Sequence, residues 1–374
     1  MKYYIIAGEA SGDLHGANLM RALMARDPSA DIRFWGGDAM AAVGGTQVRH
    51  IRDLAIMGFV EVAMHLRTVL GNLSFCKQDI RQFAPDAIIY IDYPGFNLKI
   101  AGWAHQQGFR NYHYISPQLW AWKKGRIKTM RRNLDGLYYI LPFEQQFYAA
   151  NDMPQAYYVG HPLLDAVMQI ADEQGEPLFH DERPIIAMLP GSRRMELKNM
   201  MPVMLRTAAR HPEYHFVVAG MSLLGAARYR EYLSHASANV SIVYDKTYAL
   251  LSQAHAALIC SGTATLETAL FNVPQVVCYA GNALSYAIAR AVVGKRIKYI
   301  SLVNLIADRP ILVELLQGDL NDSRLEQEFV KITADEGYRA EMLSGYDEVR
   351  SLLGGGGASD RTAQMIIDDV NSKQ

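Results

Sequence analysis

The segment Leu258-Ile-Cys-Ser-Gly-Thr-Ala-Thr-Leu-Glu267 sets a turn of small residues, Ser261-Gly262-Thr263, between an apolar run and a carboxylate. Ala256 to Cys260 reads as a buried strand. A helix opened by Thr263 brings Glu267 round to the same face one turn on. Such a turn offers backbone N–H groups and the positive end of a helix dipole to an anion. A phosphate at the turn and a ribose at Glu267 would make a sugar-nucleotide site. A capped strand-to-helix turn with a solvated glutamate satisfies the same residues.

Three further places carry residues able to do chemistry. Asp92 follows the apolar run Ala87 to Ile91 and precedes Pro94 and Gly95. A carboxylate there suits a general base that takes a proton from a hydroxyl, or a turn-forming aspartate. Gly8-Glu9-Ala10-Ser11-Gly12-Asp13 reads as a strand-to-helix loop whose glycines permit close approach of a ligand. It lacks the spacing of a dinucleotide fingerprint and the lysine of a P-loop. Glu9 is its functional candidate, and Ser11 or Asp13 the expected helix cap. Arg193 and Arg194 follow Pro190-Gly191-Ser192, where one arginine could clamp a diphosphate and steady its growing charge. A solvated pair beside Glu196 is the plainer alternative. His113, His161 and the other histidines show no metal-ligand spacing.

The elements that must position these residues alternate, as in α/β folds with parallel sheets. Strands are predicted at Tyr3–Ala7, Asp31–Trp35, Ala87–Ile91, Asn111–Ile115, Leu137–Leu141 and Tyr157–Val159. The first helix is predicted over Asp13–Arg26. The pattern restarts with strands at Ile185–Leu189, His215–Ala219, Val240–Val243, Ala256–Cys260 and Val276–Tyr279. At 374 residues, half of them hydrophobic, the chain is long enough for two cores. The polar segment Leu164 to Glu182 reads as their linker. The expected domains are 1–164, 165–345, and a glycine-rich joint with a final helix over 346–374. Two such halves facing across a cleft could hold two substrates at their strand ends.

A net charge of -1 excludes a strong global nucleic-acid signature. Three scattered cysteines give no disulfide framework and point to a reducing compartment. No signal peptide and no membrane span are expected. Lys123 to Arg132 holds six basic residues in ten, just after Trp120 and Trp122. That suits an anionic membrane surface or a solvated helix face. Leu54 to Leu70 is apolar but interrupted, fitting an interfacial or acyl-lining segment or a core helix.

With these motifs together the chain resembles the lipid-A-disaccharide synthase family, of the GT-B glycosyltransferase superfamily. The resemblance runs through Ala7–Asp13, Ala55–Glu61, Ile91–Asn97, Tyr114–Trp122, Leu141–Glu144, Gly160–Pro162, Leu189–Arg193, Ser261–Glu267 and Ser301–Leu305. It implies two Rossmann-like α/β domains and an inverting transfer. A 2,3-diacylglucosamine unit moves from UDP to the 6-hydroxyl of 2,3-diacylglucosamine 1-phosphate, giving a β-1,6-linked disaccharide 1-phosphate. By the same resemblance Asp92 stands at the base position and Arg193 at the diphosphate. Ser261, Gly262 and Thr263 match the phosphate turn, Glu267 the ribose and Asn304 a polar position near the site. Glu9 and Ser11 match the loop near the acceptor. No cofactor and no metal are implied, and a peripheral place on the cytoplasmic face of the inner membrane is. A homodimer is left open. One departure is Gly95, where some members carry a second acidic residue.

Overall fold

The apolar runs become the central strands of two parallel sheets. The computed structural model describes residues 1–54, 66–120, 125–171, 177–179, 181–281 and 298–372. The contacts divide the chain into two units, Met1–Pro162 with Gly355–Gln374, and Leu163–Gly354.

The first unit holds strands β1 Lys2–Ala7, β2 Asp31–Gly36, β3 Thr46–His50, β4 Ala87–Ile91, β5 Asn111–Tyr114, β6 Gly136–Tyr139 and β7 Ala156–Tyr158. Their spatial order is β3-β2-β1-β4-β5-β6-β7. β1 and β4 run side by side with Ala7 opposite Ile91. Both are buried almost throughout, as strands covered by helices on both faces must be. Tyr4, Ile6, Trp35, Ile88 and Tyr90 share one core with Phe96 and Ile100 of the helix Pro94–Gln106. The helix Ala10–Arg26 begins three residues before the predicted start. Gly12 lies inside it, where an added Cβ would stand 3.4 Å from the Ala7 Cβ, so this glycine serves helix-on-strand packing rather than a loop.

After Gly354 the chain returns to the first unit as the helix Ala358–Ser372. Its Ala363, Ile366 and Val370 are buried. Tyr112 donates to Asp369 at 2.7 Å, and Arg361 donates to the Val159 carbonyl at 2.7 and 3.0 Å. Residues 346–353, expected in the joint, instead finish the helix Glu336–Leu353 of the second unit.

That unit holds β8 Ile185–Leu189, β9 His215–Gly220, β10 Val240–Tyr244, β11 Ala254–Cys260, β12 Gln275–Tyr279 and β13 Glu314–Leu316. The order is β10-β9-β8-β11-β12-β13, with Leu189 opposite Ile259. Ala187, Leu189, Val217, Ala257 and Ile259 form a core on one face. Among the described residues no helix is long and apolar enough to cross a membrane.

Candidate active sites at the two switch points

In each sheet the strand order reverses once, between β1 and β4 and between β8 and β11. Loops at the carboxyl ends of such a strand pair diverge to opposite faces and leave a crevice. Glu9 follows β1, Asp92 follows β4, Arg193 follows β8 and the turn Ser261-Gly262-Thr263 follows β11. These candidate positions therefore fall at the two reversals.

At the first, Asp92 and Tyr93 both have left-handed backbones, with φ of 45° and 46°. Neither is glycine, so each conformation is strained by on the order of 1–3 kcal/mol. The buried Asn97 amide holds the bend by donating to the Asp92 carbonyl at 2.8 Å. The Tyr93 ring lies so near Gly8 that an added Cβ would meet its Cγ at 2.3 Å, which only glycine avoids. Asp92 is half-buried. Burial, then the neighbouring Glu9 charge, push its carboxyl up to about 6, against a backbone N–H of Tyr93 that lowers it. A carboxylate so tuned is a competent base near neutral pH. Glu9 is the residue before the helix Ala10–Arg26, and no side chain caps that helix. Ser11 is exposed in its first turn.

Asp13 corrects its expected role. Its carboxylate accepts from the backbone N–H groups of Gly37 at 2.6 Å, Ala39 at 3.0 Å and Met40 at 3.1 Å. It therefore fixes the start of the helix Asp38–Val43 after β2 and not its own helix. His15 and His161 are also buried in this unit, and burial pushes them down to about 4 and about 3. Among the described residues no group of three or more histidine, cysteine or acidic side chains could hold a metal ion.

At the second reversal Gly191 has φ of 106°, and an added Cβ would stand 2.4 Å from the Glu196 carboxylate. That carboxylate accepts from the N–H groups of Ser192 at 2.9 Å and Arg193 at 3.2 Å. Arg193 precedes the helix Arg194–Arg210, exposed, with its guanidinium 3.7 Å from Glu196. Gly262, with φ of 122°, precedes the helix Thr263–Leu270, which no side chain caps. Gly262 and Thr263 are exposed at that N-terminus and Ser261 is half-buried. The two turns share an edge. Burial raises the Cys260 thiol at the end of β11 to about 12, and the charges of Glu196 and Arg193 both act on it. Glu267 is half-buried, its carboxyl raised by burial, and it accepts from the Tyr248 hydroxyl at 3.0 Å.

Asn304 is differently placed. Its Nδ2 donates to the Leu312 carbonyl and to Glu314, each at 2.9 Å. Its Oδ1 accepts from the N–H groups of Ile311 at 2.8 Å and Leu312 at 2.9 Å. Fully buried, it ties the helix Leu302–Ala307 to the start of β13, and a substrate contact would have to displace one of these bonds.

Of the basic run, 121–124 lie outside the described residues, and so do 55–65 of the apolar segment. Arg126–Asn133 is a helix that buries Ile127 and Met130 and exposes Lys128, Arg131 and Arg132. Leu70 and Phe75 are exposed on the helix Leu66–Phe83.

A family model described as lipid-A-disaccharide synthetase matches residues 3–356. The lipid-A-disaccharide synthase of Syntrophus aciditrophicus is 37% identical over 374 residues, covering 97% of this chain and 96% of that protein. Among solved structures, the UDP-GlcNAc 2-epimerase of Neisseria meningitidis bound to UDP-GlcNAc aligns with a TM-score of 0.70 at 14% identity. That alignment covers 98% of this chain and 100% of the other. The calicheamicin glycosyltransferase CalG4 aligns at 0.60 and 16% identity, over 98% of this chain and 97% of its own. The likeness to these two structures concerns the fold alone.

Proposed function

Because the chain belongs to the lipid-A-disaccharide synthase family, glycosyltransferases of lipid A biosynthesis on a GT-B-like fold, we propose that its two switch-point sites divide one transfer between them. The second unit holds UDP-2,3-diacylglucosamine. The first receives 2,3-diacylglucosamine 1-phosphate and takes the proton of its 6-hydroxyl at Asp92. The hydroxyl oxygen attacks the anomeric carbon from the face opposite UDP. The bond from that carbon to the diphosphate breaks, and UDP leaves with the electron pair. Configuration inverts, and the β-1,6-linked disaccharide 1-phosphate forms.

What supports this reading is a single pattern. A carboxylate raised toward neutrality stands at one sheet reversal, and an exposed arginine with an uncapped helix N-terminus stands at the other. The diphosphate meets Arg193 and the N–H groups of Ser261, Gly262 and Thr263, where helix dipole and guanidinium offset its developing charge. Glu267 accepts from the ribose hydroxyls. Glu9 keeps Asp92 basic and, with Ser11, borders the acceptor. Positive charge supplied in this way needs neither divalent metal nor cofactor. Calorimetry tests the division of labour: Glu267→Ala should weaken UDP binding about tenfold, while Asp92→Asn leaves it unchanged. Equal affinity of Glu267→Ala and the parent would contradict the ribose assignment.

The acyl chains of both substrates call for work at a bilayer surface, so we assign the protein a peripheral place on the cytoplasmic face of the inner membrane. The exposed Lys128, Arg131 and Arg132 and the exposed Leu70 and Phe75 support that assignment. Charge reversal at Lys123, Lys124 and Arg126 should release the protein from vesicles containing anionic lipid. Undiminished co-sedimentation would contradict it.

A further inference from the structure

We infer that Tyr248 is a positioning residue for the transfer, acting through Glu267 rather than on the substrate. The inference rests on the reading of Glu267 as the ribose-binding carboxylate. Tyr248 lies in the short helix Thr247–Leu251 that follows β10, nineteen residues before Glu267 in the chain. Its hydroxyl donates to Glu267 Oε1 at 3.0 Å. Its ring packs on Phe271, with centroids 5.6 Å apart and planes tilted by 43°. Glu267 and Phe271 are one turn apart, and the Phe271 N–H donates to the Glu267 carbonyl at 3.2 Å. One tyrosine thus grips two successive turns of the phosphate-side helix, the aromatic ring on one and the hydroxyl on the other.

This arrangement has a chemical use. A carboxylate at the end of two methylenes turns freely about its last bond. Tying one oxygen to a braced phenol fixes the plane of the group and leaves Oε2 with a set direction for a sugar hydroxyl. The same donor favours the ionised form of a carboxyl that burial would otherwise protonate more readily. Ionised, the carboxylate accepts from two hydroxyls; protonated, it competes as a donor. The pairing joins the short helix after β10 to the helix after β11. The rings of Tyr248 and Phe271 also pack against the core that holds Leu250 and Leu251, so only the hydroxyl is given over to the carboxylate.

Tyr248→Phe keeps the ring on Phe271 and removes only the hydroxyl, which makes a clean test. UDP affinity is measured by calorimetry for the parent, Tyr248→Phe, Glu267→Ala and the double variant, with thermal midpoints recorded for all four. Expected are a several-fold loss in affinity for Tyr248→Phe, no larger than the roughly tenfold loss for Glu267→Ala, and no further loss when the two are combined. In turnover, KM for the UDP-sugar should rise while kcat changes little. Glu267→Ala weak with Tyr248→Phe unchanged would overturn the positioning role alone. Additive losses in the double variant would also overturn it, because the tyrosine would then act on the ligand or the fold directly. Unchanged affinity in Glu267→Ala would overturn both the ribose assignment and this inference.

Discussion

The pair Glu9 and Asp92 makes a prediction with a defined sign. Asp92 is raised to about 6 chiefly by burial and secondly by the Glu9 charge. A base must be ionised to act, so kcat/KM should follow the Asp92 carboxylate. About nine-tenths of it is ionised at pH 7 and about one-tenth at pH 5, so the rate should fall roughly tenfold per pH unit well below 6. Glu9→Gln removes the like charge and leaves the burial. The acidic limb should then move to lower pH, by less than about one unit, because the larger cause remains. At pH 5 the variant should keep a several-fold larger share of its own plateau rate than the parent. The assay is kcat/KM from pH 4.5 to 8 in detergent micelles, reading UDP release for both proteins. If Glu9 also touches the acceptor, the plateau drops but the midpoint still moves down. A limb at the same pH in both proteins would refute the coupling. A parent rate flat to pH 5 would refute Asp92 as the base.

Other outcomes follow from the same structure. Arg193→Ala should lower kcat by roughly 10²-fold, as loss of one positioned charge donor does, and Arg193→Lys should recover part of it; a kcat unchanged in single-turnover assays would contradict the diphosphate role. Glu144 is fully buried and raised to about 8 by burial, with Leu141 N–H donating to one oxygen at 3.3 Å. A raised carboxyl gives stability that is complete below its unfolded value and lost as pH rises through the folded one. Above pH 7, where the buried histidines are neutral in both states, stability to denaturant should therefore weaken by on the order of 1 kcal/mol up to pH 9, and Glu144→Gln should flatten that decline. His15, His113 and His161 are depressed to about 4, 3 and 3 by burial, so stability should also fall as pH drops below about 6.5; a thermal midpoint level from pH 7 to pH 5 would contradict this. Truncation after Gly354 strips Ala363, Ile366 and Val370 from the first unit and should lower its thermal midpoint, while UDP binding by the second unit persists.

The strands that place the site were legible because each is a buried parallel strand written as an unbroken apolar run. Ala87–Ile91 and Ile185–Leu189 match the sequence reading residue for residue. β3, Thr-Gln-Val-Arg-His, escaped because an edge strand buries little and carries no such run, and β13 because three residues show no period. The first helix starts earlier than its residues suggest, because Gly12 resembles a loop glycine until the strand beneath it is known. Positions of Glu9, Asp92, Arg193 and the Ser261–Thr263 turn follow from strand ends alone, so local sequence carried them. Partnerships did not. Asp13 grips backbone 24 residues away, Tyr248 meets Glu267 across two strands, and Asn304 closes on Leu312 and Glu314. Each is a contact made by tertiary packing, for which no spacing rule exists in the chain.

If Asp92 is the base of glycosidic bond formation and UDP binds independently of it, removing that carboxylate should separate turnover from affinity. The parent and Asp92→Asn are each given UDP-2,3-diacylglucosamine and 2,3-diacylglucosamine 1-phosphate in micelles with EDTA, and products are read by mass spectrometry beside UDP affinity. The parent should give disaccharide 1-phosphate and UDP. Asp92→Asn should be slower by about 10²-fold or more, with UDP affinity unchanged. Disaccharide formed at near-parent rate by Asp92→Asn, or UDP released by the parent without any disaccharide, would contradict that role for Asp92.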